Sequence, residues 1–270
     1  MLKITHYQDL DKIMMGSTIN GQLLYTVFAF FLDGLLIDTG CHNTRYELID
    51  YLGSKELSKV VNTHHHIDHI GANQAIMDKF KVPIFAHPEA LPFIADGFHV
   101  FSYQKELWGT PTFCRVKPLD KKINSNHFEF EVIHTGGHSN GHVVLFLKNR
   151  GWLFTGDEFL TNKPNSSSRF TDNHQMIKAL QKMMNFEPEL LITCSGGIFK
   201  KGKKILSRTI DYYRETESKV LSLTRQGLTP AEIVLKLFNG ETPLYEYTNG
   251  EFSRQNFVEG FLKNSSLENC

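Results

Sequence analysis

The stretch Thr63-His64-His65-His66-Ile67-Asp68-His69 places four potential metal ligands within six consecutive positions. A short apolar run at residues 59–62 leads directly into it. Apolar residues that give way to polar ones predict a strand that ends in a polar loop. The sequence therefore predicts a metal-binding loop at the end of a buried strand.

The spacing within this stretch divides the ligands into two pairs. Residues two apart on an extended segment point the same way, so His64 and His66 can hold one ion. Asp68 and His69 lie beyond the bend and can face a neighbouring ion. His65 lies between the first pair and is not counted as a ligand. A solvated histidine-rich loop is the alternative at this point.

Two later motifs supply residues of the same chemistry. Gly136-Gly137-His138-Ser139-Asn140-Gly141-His142 follows a predicted strand, and Phe154-Thr155-Gly156-Asp157 ends another. An earlier motif, Leu36-Ile37-Asp38-Thr39-Gly40, follows an apolar hairpin. In this order the motifs resemble those of the metallo-β-lactamase superfamily, with a set similar to that of glyoxalase II. The resemblance runs from the hairpin to about residue 197.

The resemblance implies a fold and a ligand set. The fold is of the α/β (α+β) class, a four-layer αβ/βα sandwich with metals at the edge between two sheets. The implied first metal site consists of His64, His66 and His138. The implied second site consists of Asp68 and His69, and Asp157 bridges both.

Two further residues are candidates for supporting these ligands. Asp38 resembles the family's acid that orients a ligand histidine through its free ring N–H, although it can equally form the turn before Thr39. His142 flanks the ligand turn and can support a ligand, contact substrate or be purely structural.

The sequence departs from the family pattern at the end of the site. The predicted strand at residues 190–194 runs into Ser195-Gly196-Gly197, where the family usually has a ligand histidine. The second site then binds weakly, takes more water, or borrows Cys194 or His174. Each has an ordinary alternative, since a cysteine that ends a buried strand is usually core and a histidine at a helix start is usually on the surface.

The remaining pattern predicts the order of the elements. Asp33-Gly34 is the dipeptide of a two-residue hairpin turn, between strands at residues 24–31 and 35–38. We predict helices at residues 43–52, 71–80 and 89–95. Residues 98–113 are rich in aromatics, glycine and proline, which predicts a packed loop or an apolar lid beside the metals.

The chain is expected to divide into a catalytic domain at residues 1–203 and a C-terminal helical appendage at residues 204–270. Periodicity predicts only helices in the appendage, at residues 205–225, 231–238 and 253–263. Its charges are nearly balanced, whereas a DNA-reading module is more basic. We therefore expect the appendage to pack on the enzyme and not to bind nucleic acid.

Composition limits the class of protein. The 270 residues contain 29 Lys and Arg against 29 Asp and Glu, so no net field favours nucleic acid or an anionic membrane. Neither a signal peptide nor a membrane helix is predicted. Four cysteines lie far apart, without a Cys-x-x-Cys pair, which favours a reducing, cytoplasmic environment. The oligomeric state is left open, and Cys270 lies outside the residues described structurally below.

These observations favour a metal-dependent hydrolase that acts on a small ester, thioester, lactone or similar acyl compound. Water activated by the metal attacks the substrate, and Asp68 positions that water and accepts a proton. The cofactor is one or two Zn²⁺ ions, with Fe or Mn as alternatives. Competing hypotheses are a mononuclear iron oxygenase of the persulfide dioxygenase type, an inactive metal- or ligand-binding protein and, less favoured, a nuclease.

Overall fold

A computed structural model describes residues 1–19 and 22–263. Its first sheet has seven strands in the order of the chain. They are β1 (Leu2–Tyr7), β2 (Leu10–Ile19), β3 (Gln22–Leu32), β4 (Leu35–Ile37), β5 (Lys59–Val61), β6 (Ile84–Ala86) and β7 (Lys117–Pro118). Strands β1 to β4 pair antiparallel, and β4 to β7 pair parallel.

The second sheet has six strands in the order β14-β13-β11-β10-β9-β8. They are β8 (Lys122–Asn124), β9 (Glu129–His134), β10 (Val143–Leu147), β11 (Trp152–Phe154), β13 (Leu190–Ile192) and β14 (Ile198–Lys200). Only β11 and β13 pair parallel. A separate two-stranded ribbon joins β12 (Ser167–Ser168) to β15 (Phe252–Ser253).

Helices cover the outer faces of both sheets. The helices of the first half are α1 (Arg45–Leu52), α2 (Ile67–Ile70), α3 (Asn73–Phe80), α4 (Leu91–Asp96) and α5 (Ser102–Trp108). Those of the second half are α6 (Asn173–Met184), α7 (Gly202–Arg225), α8 (Pro230–Phe238), α9 (Pro243–Tyr247) and α10 (Arg254–Glu259). No helix among the described residues is both long and apolar enough to cross a membrane.

The buried side chains confirm the predicted four layers. Alternation along β10 sends Leu145 into the core between the two sheets and its neighbours Val144 and Phe146 to the outer helices. On the far side of the first sheet, Leu48 of α1 and Ile76 of α3 belong to a third core cluster. The order of layers is helix, sheet, sheet, helix, as the resemblance implied.

The structure agrees with the local predictions at two places where the sequence contains a recognisable turn or helix-cap motif. Asp33 and Gly34 both have positive φ, at 52° and 84°, and join β3 to β4 as a two-residue turn. Thr229 caps α8 and forms a capping box with Glu232, with Pro230 in the first turn.

Two local predictions were wrong. Residues 98–113 were expected to form a loop, but they contain α5, whose first turn is held by the Phe101 N–H donating to the Gln104 side chain. The C-terminal segment was expected to contain only helices, but β15 pairs with β12. Strands of two residues carry no readable period, so the sequence contained no signal for this pairing.

The C-terminal helices share a core with the rest of the chain. Helix α7 begins at Gly202, so the boundary predicted between residues 203 and 204 falls in its first turn. Leu206 of α7 and Val258 of α10 belong to the same buried cluster as Ile177 of α6 and Leu191 of β13. Residues 204–263 pack directly on the second sheet, as their apolar spacing predicted.

Candidate metal centre

The loop of residues 63–66, which the sequence predicts to bind metal, starts where β5 ends in the first sheet. Asp38, just after the neighbouring strand β4, holds the loop: its Oδ1 accepts the Thr63 N–H at 2.7 Å and its Oδ2 accepts the Thr63 hydroxyl at 2.8 Å. Helix α2 then begins at Ile67, and the turn brings Asp68 and His69 back toward the strand ends. The loop geometry thus depends on one buried carboxylate.

One group of side chains brings His64, His66, His138 and Asp157 together. The His66 Nδ1 lies 3.0 Å from the His64 Nε2 and 3.0 Å from the His138 Nε2. The His138 Nε2 lies 3.4 Å from the Asp157 Oδ2. Ligands about 2.0–2.1 Å from a tetrahedral zinc are about 3.3 Å apart, so these spacings fit one ion.

The protonation pattern of His64 also fits a metal ligand. The Thr63 hydroxyl donates its proton to Asp38, so it accepts from the His64 Nδ1, 3.0 Å away. That leaves the His64 Nε2 with a lone pair directed at His66. Burial holds the pKa of His64 and of His66 well below its usual value, so both rings are neutral.

A second group consists of His69, Asp157 and Cys194. The His69 Nδ1 lies 2.8 Å from the Asp38 Oδ2 and donates to it, because a carboxylate only accepts. The His69 Nε2 is buried without a hydrogen-bond partner, 3.3 Å from the Asp157 Oδ1 and 3.7 Å from the Asp68 Oδ2. An unpartnered nitrogen between two carboxylates is the environment that a cation would complete.

Charge in this second group is unbalanced without a cation. Burial opposes the charged form of His69, but Asp157, Asp38 and Asp68 outweigh it and raise the pKa of His69 well above its usual value. Burial, reinforced by Asp157, raises the pKa of the Cys194 thiol well above its usual value. A bound metal ion replaces the proton on such an imidazole and deprotonates a coordinating thiol.

Cys194 lies where the sequence lacks the family's final histidine. It follows β13, and its Sγ is 2.5 Å from the Asp157 Oδ1. His174 is placed differently, at the start of α6 with its Nδ1 3.5 Å from Glu217 on α7, and it joins neither group. Of the two residues that could complete the second site, the structure brings only Cys194 to it.

A histidine ligand at Gly196, in the segment where the family usually has one, would conflict with the local backbone. Gly196 has a φ of 83°, and a Cβ there would lie 2.4 Å from the ring of Phe28. A histidine at Gly196 would be strained and would displace Phe28. The turn after β13 is therefore built for glycine, with the thiol of Cys194 as the available donor.

Asp68 is buried beside the second group, but its Oδ2 lies 3.7 Å from the His69 Nε2, farther than the Asp157 Oδ1. Burial raises the pKa of Asp68 to about 6, against the opposing effect of His69. Its carboxylate also lines the large cleft described below. Asp68 is thus placed both to face a second ion and to contact a molecule in the cleft.

His142 contacts the backbone of Asp157, the residue common to both groups. Its Nε2 accepts the Asp157 N–H at 3.1 Å, so its Nδ1 carries the ring proton. The Nδ1 faces the Thr135 hydroxyl at 3.2 Å and the Glu158 Oε1 at 3.4 Å. Of the interpretations left open for His142, the contacts favour support of a ligand.

Glu158 was missed by the sequence analysis. It is 1% exposed, and its Oε1 accepts the N–H groups of Gly137 at 2.8 Å and His138 at 3.2 Å. Burial raises the pKa of Glu158. The available signal was an acidic residue directly after Asp157 within the apolar run of residues 152–160. Its carboxylate fixes the turn that carries His138.

Comparison with known proteins places this geometry in a family. The family model described as the metallo-beta-lactamase superfamily matches residues 27–195, which include every residue of both groups. The chain belongs to the metallo-β-lactamase superfamily. This membership confirms the predicted family and supports the predicted class of metal-binding hydrolase.

Curated relatives within the superfamily are distant. The chain is 29% identical over 160 residues to a probable metallo-hydrolase of Bacillus subtilis, covering 58% of this chain and 72% of that protein. It is 23% identical to a hydroxyacylglutathione hydrolase of Pelagibacter ubique, covering 58% of this chain and 59% of that protein. Both matches support a metallo-hydrolase superfamily without identifying a substrate.

A solved structure covers nearly the whole chain. A metallo-beta-lactamase family protein from Thermus thermophilus superposes with a TM-score of 0.65 at 18% identity, covering 94% of this chain and 91% of that chain. At this identity the similarity establishes the fold alone, and it confirms the predicted metallo-β-lactamase architecture.

Proposed function

We propose that this protein is a hydrolase of carboxylic esters, thioesters or lactones that works with two divalent metal ions. The observation that carries the proposal is the pair of adjoining groups that share Asp157, one with three mutually close imidazole nitrogens and one with an unpartnered, buried His69 Nε2. His64, His66 and His138 would hold the first ion, and His69 and Cys194 the second.

The donor atoms favour zinc. Imidazole nitrogens suit several transition metals, but a thiolate from Cys194 suits a softer ion than manganese. When bound, such an ion lowers the pKa of a coordinated water to about 7 and polarises a carbonyl oxygen. The Gly-x-Ser-x-Gly pattern at residues 137–141 lies in the turn between β9 and β10 and not at a strand-to-helix elbow, so Ser139 lacks the setting of a serine nucleophile. The chain therefore needs such help to supply an attacking group at neutral pH.

The chain's own residues would perform the remaining steps. Asp68, buried at the floor of the cleft, is placed to orient the attacking water and to accept its proton. Its position in the lining of the cleft would let it take up a proton from the attacking water and return it to the leaving group. Asp38 and His142 keep the ligands oriented through hydrogen bonds that leave their lone pairs free.

The decisive experiment combines metal analysis with an ester assay. Protein purified without added metal should contain two zinc ions per chain and hydrolyse 4-nitrophenyl esters, thioesters or lactones. Dialysis against a chelator should abolish hydrolysis, and zinc should restore it. One iron per chain with oxygen uptake on a persulfide would instead support the mononuclear oxygenase. Tight metal binding without either reaction would indicate a binding protein.

A further inference from the structure

The metal centre lies at the floor of a cleft of about 610 Å³. Asp68, His138 and Asp157 line the floor, and the cleft extends outward to α9 and β15 of the C-terminal segment. A cleft of this size accommodates a drug-sized organic molecule. The C-terminal segment therefore forms a wall of the space in which a substrate would lie.

The walls of the cleft are apolar. Aromatic and aliphatic side chains from three separate parts of the chain face it, including Phe98, Phe101 and Trp108 around α5, Phe159 after β11, and Leu244 and Tyr247 on α9. Burying such surface against a ligand is favourable by about 25 cal/mol per Å² of apolar area. The shape and chemistry of the walls favour an apolar ligand group.

Cationic side chains are scarce among the described residues that line the cleft. Among the described residues that line it, the only lysine or arginine is Lys163, which is exposed on the loop before β12. The nearby guanidinium of Arg169 is already paired with Glu251, and Glu251 itself faces the cleft. A carboxylate or phosphate buried against the apolar walls, away from Lys163 and from the metal centre, would therefore be desolvated without a partner, which is costly.

We infer that the cleft binds uncharged, apolar compounds, and that the substrate is a neutral ester, thioester or lactone with an aliphatic or aromatic acyl or leaving group. The second part of the inference rests on the proposed hydrolase function. The first part rests only on the walls and charges of the cleft. The two parts can be tested separately.

Binding is tested on the holoenzyme with two matched dyes, neutral N-phenyl-1-naphthylamine and its sulfonate, 8-anilino-1-naphthalenesulfonate. We expect the neutral dye to bind at least about tenfold more tightly, as expected when an unpaired charge must be desolvated. Leu244→Lys places a cation on the cleft wall and should weaken the neutral dye while strengthening the sulfonate. Leu235→Lys, on an α8 residue that is 65% exposed and outside the cleft lining, should match the wild type.

Catalysis is tested with 4-nitrophenyl octanoate and the mono-4-nitrophenyl ester of octanedioic acid, which differ by a terminal carboxylate. We expect kcat/KM to favour the neutral ester by about tenfold or more, and Leu244→Lys to narrow that ratio. Equal or tighter binding of the sulfonate, equal effects of the two lysine variants, or faster turnover of the acidic ester would overturn the inference. Selective binding of the neutral dye without hydrolysis of either ester would instead refute the proposed function.

Discussion

The two groups of converging side chains are encoded in different ways. The first takes His64 and His66 from one extended loop and adds His138 from a glycine-rich turn, so most of it can be inferred from local spacing. The second takes His69, Asp157 and Cys194 from three distant parts of the chain. Its last donor is visible only once β13 is placed beside β11. Local spacing thus reveals the first group, whereas the second depends on strand order.

The same comparison of the two groups predicts that the two ions will bind with different affinities. The first group has three neutral imidazoles already close together. The second must lose protons from His69 and Cys194 before both can act as donors. Metal binding there competes with protons, so we expect the first ion to bind more tightly.

Loss of a first-group ligand should have the largest effect. In His138→Ala, kcat/KM for the best ester should fall by about 1,000-fold, since several kcal/mol of metal-assisted stabilisation would be lost. Elemental analysis should show at least one ion fewer per chain. The matched control is His127→Ala, at an exposed histidine that pairs with Asp33 and belongs to none of the groups of potential metal ligands among the described residues. Full activity with two ions in His138→Ala would disprove the ligand assignment.

Removal of the thiol tests the unusual ligand of the second group. In Cys194→Ala, the second ion should bind about 100-fold more weakly, because even loss of an outer-sphere partner costs about 10-fold to 100-fold. The first ion should be retained. Titration of metal-free protein with Co²⁺ reports both ions, and thiolate-to-cobalt charge-transfer absorption should be present in the wild type and absent in the variant.

Cys114→Ala is the control for loss of a buried thiol, since Cys114 belongs to neither group. It should keep the charge-transfer absorption and both ions. If the absorption is missing from the wild type, or persists in Cys194→Ala, then Cys194 is not the donor. The second ion would in that case be held by His69, Asp157 and Asp68 alone.

Sequence reasoning reached the fold and most of the site because the informative residues lie at strand ends. The hairpin at Asp33-Gly34, the loop at residues 63–69 and the turn at residues 136–142 each carry their own local signal. Glu158 carries only a weak signal, an acidic residue within an apolar run, because its partners, the N–H groups of Gly137 and His138, are some twenty residues away. Helix α5 was missed because it buries only Leu107 and Trp108, and the aromatic residues and glycines around it are typical of a loop.

Replacement of Asp38, whose carboxylate holds the loop of residues 63–66, should lower metal affinity by an intermediate amount. The loss should be larger for the second ion than for the first. Asp38→Asn keeps the shape but lacks the charge that accepts the His69 Nδ1–H and both Thr63 donors. Affinity for the second ion should fall by about 10-fold to 100-fold, with a smaller change at the first. Asp9→Asn, at a half-exposed surface ion pair with Arg150, is the control. Equal losses at both ions would show that Asp38 mainly maintains the fold.

The smallest effect is expected at Glu158, where the two possible roles of its carboxylate can be separated. If Glu158 acts by accepting the N–H groups of Gly137 and His138, Glu158→Gln retains an acceptor oxygen and should bind the first ion nearly as well as the wild type. Glu158→Ala leaves both N–H groups buried without a partner. Affinity for the first ion should then fall by about tenfold, with little change at the second.

If Glu158 instead acts through its negative charge, the glutamine variant should lose as much affinity as the alanine variant, and the second ion should weaken as well. Charge acts over a longer range than a hydrogen bond, and both groups share Asp157, the neighbour of Glu158. Circular dichroism and thermal unfolding of both variants establish whether the turn remains folded. Rescue by glutamine, measured as first-ion affinity by competition with a chromophoric chelator, would therefore show that the turn that carries His138 is positioned by hydrogen bonding and not by charge.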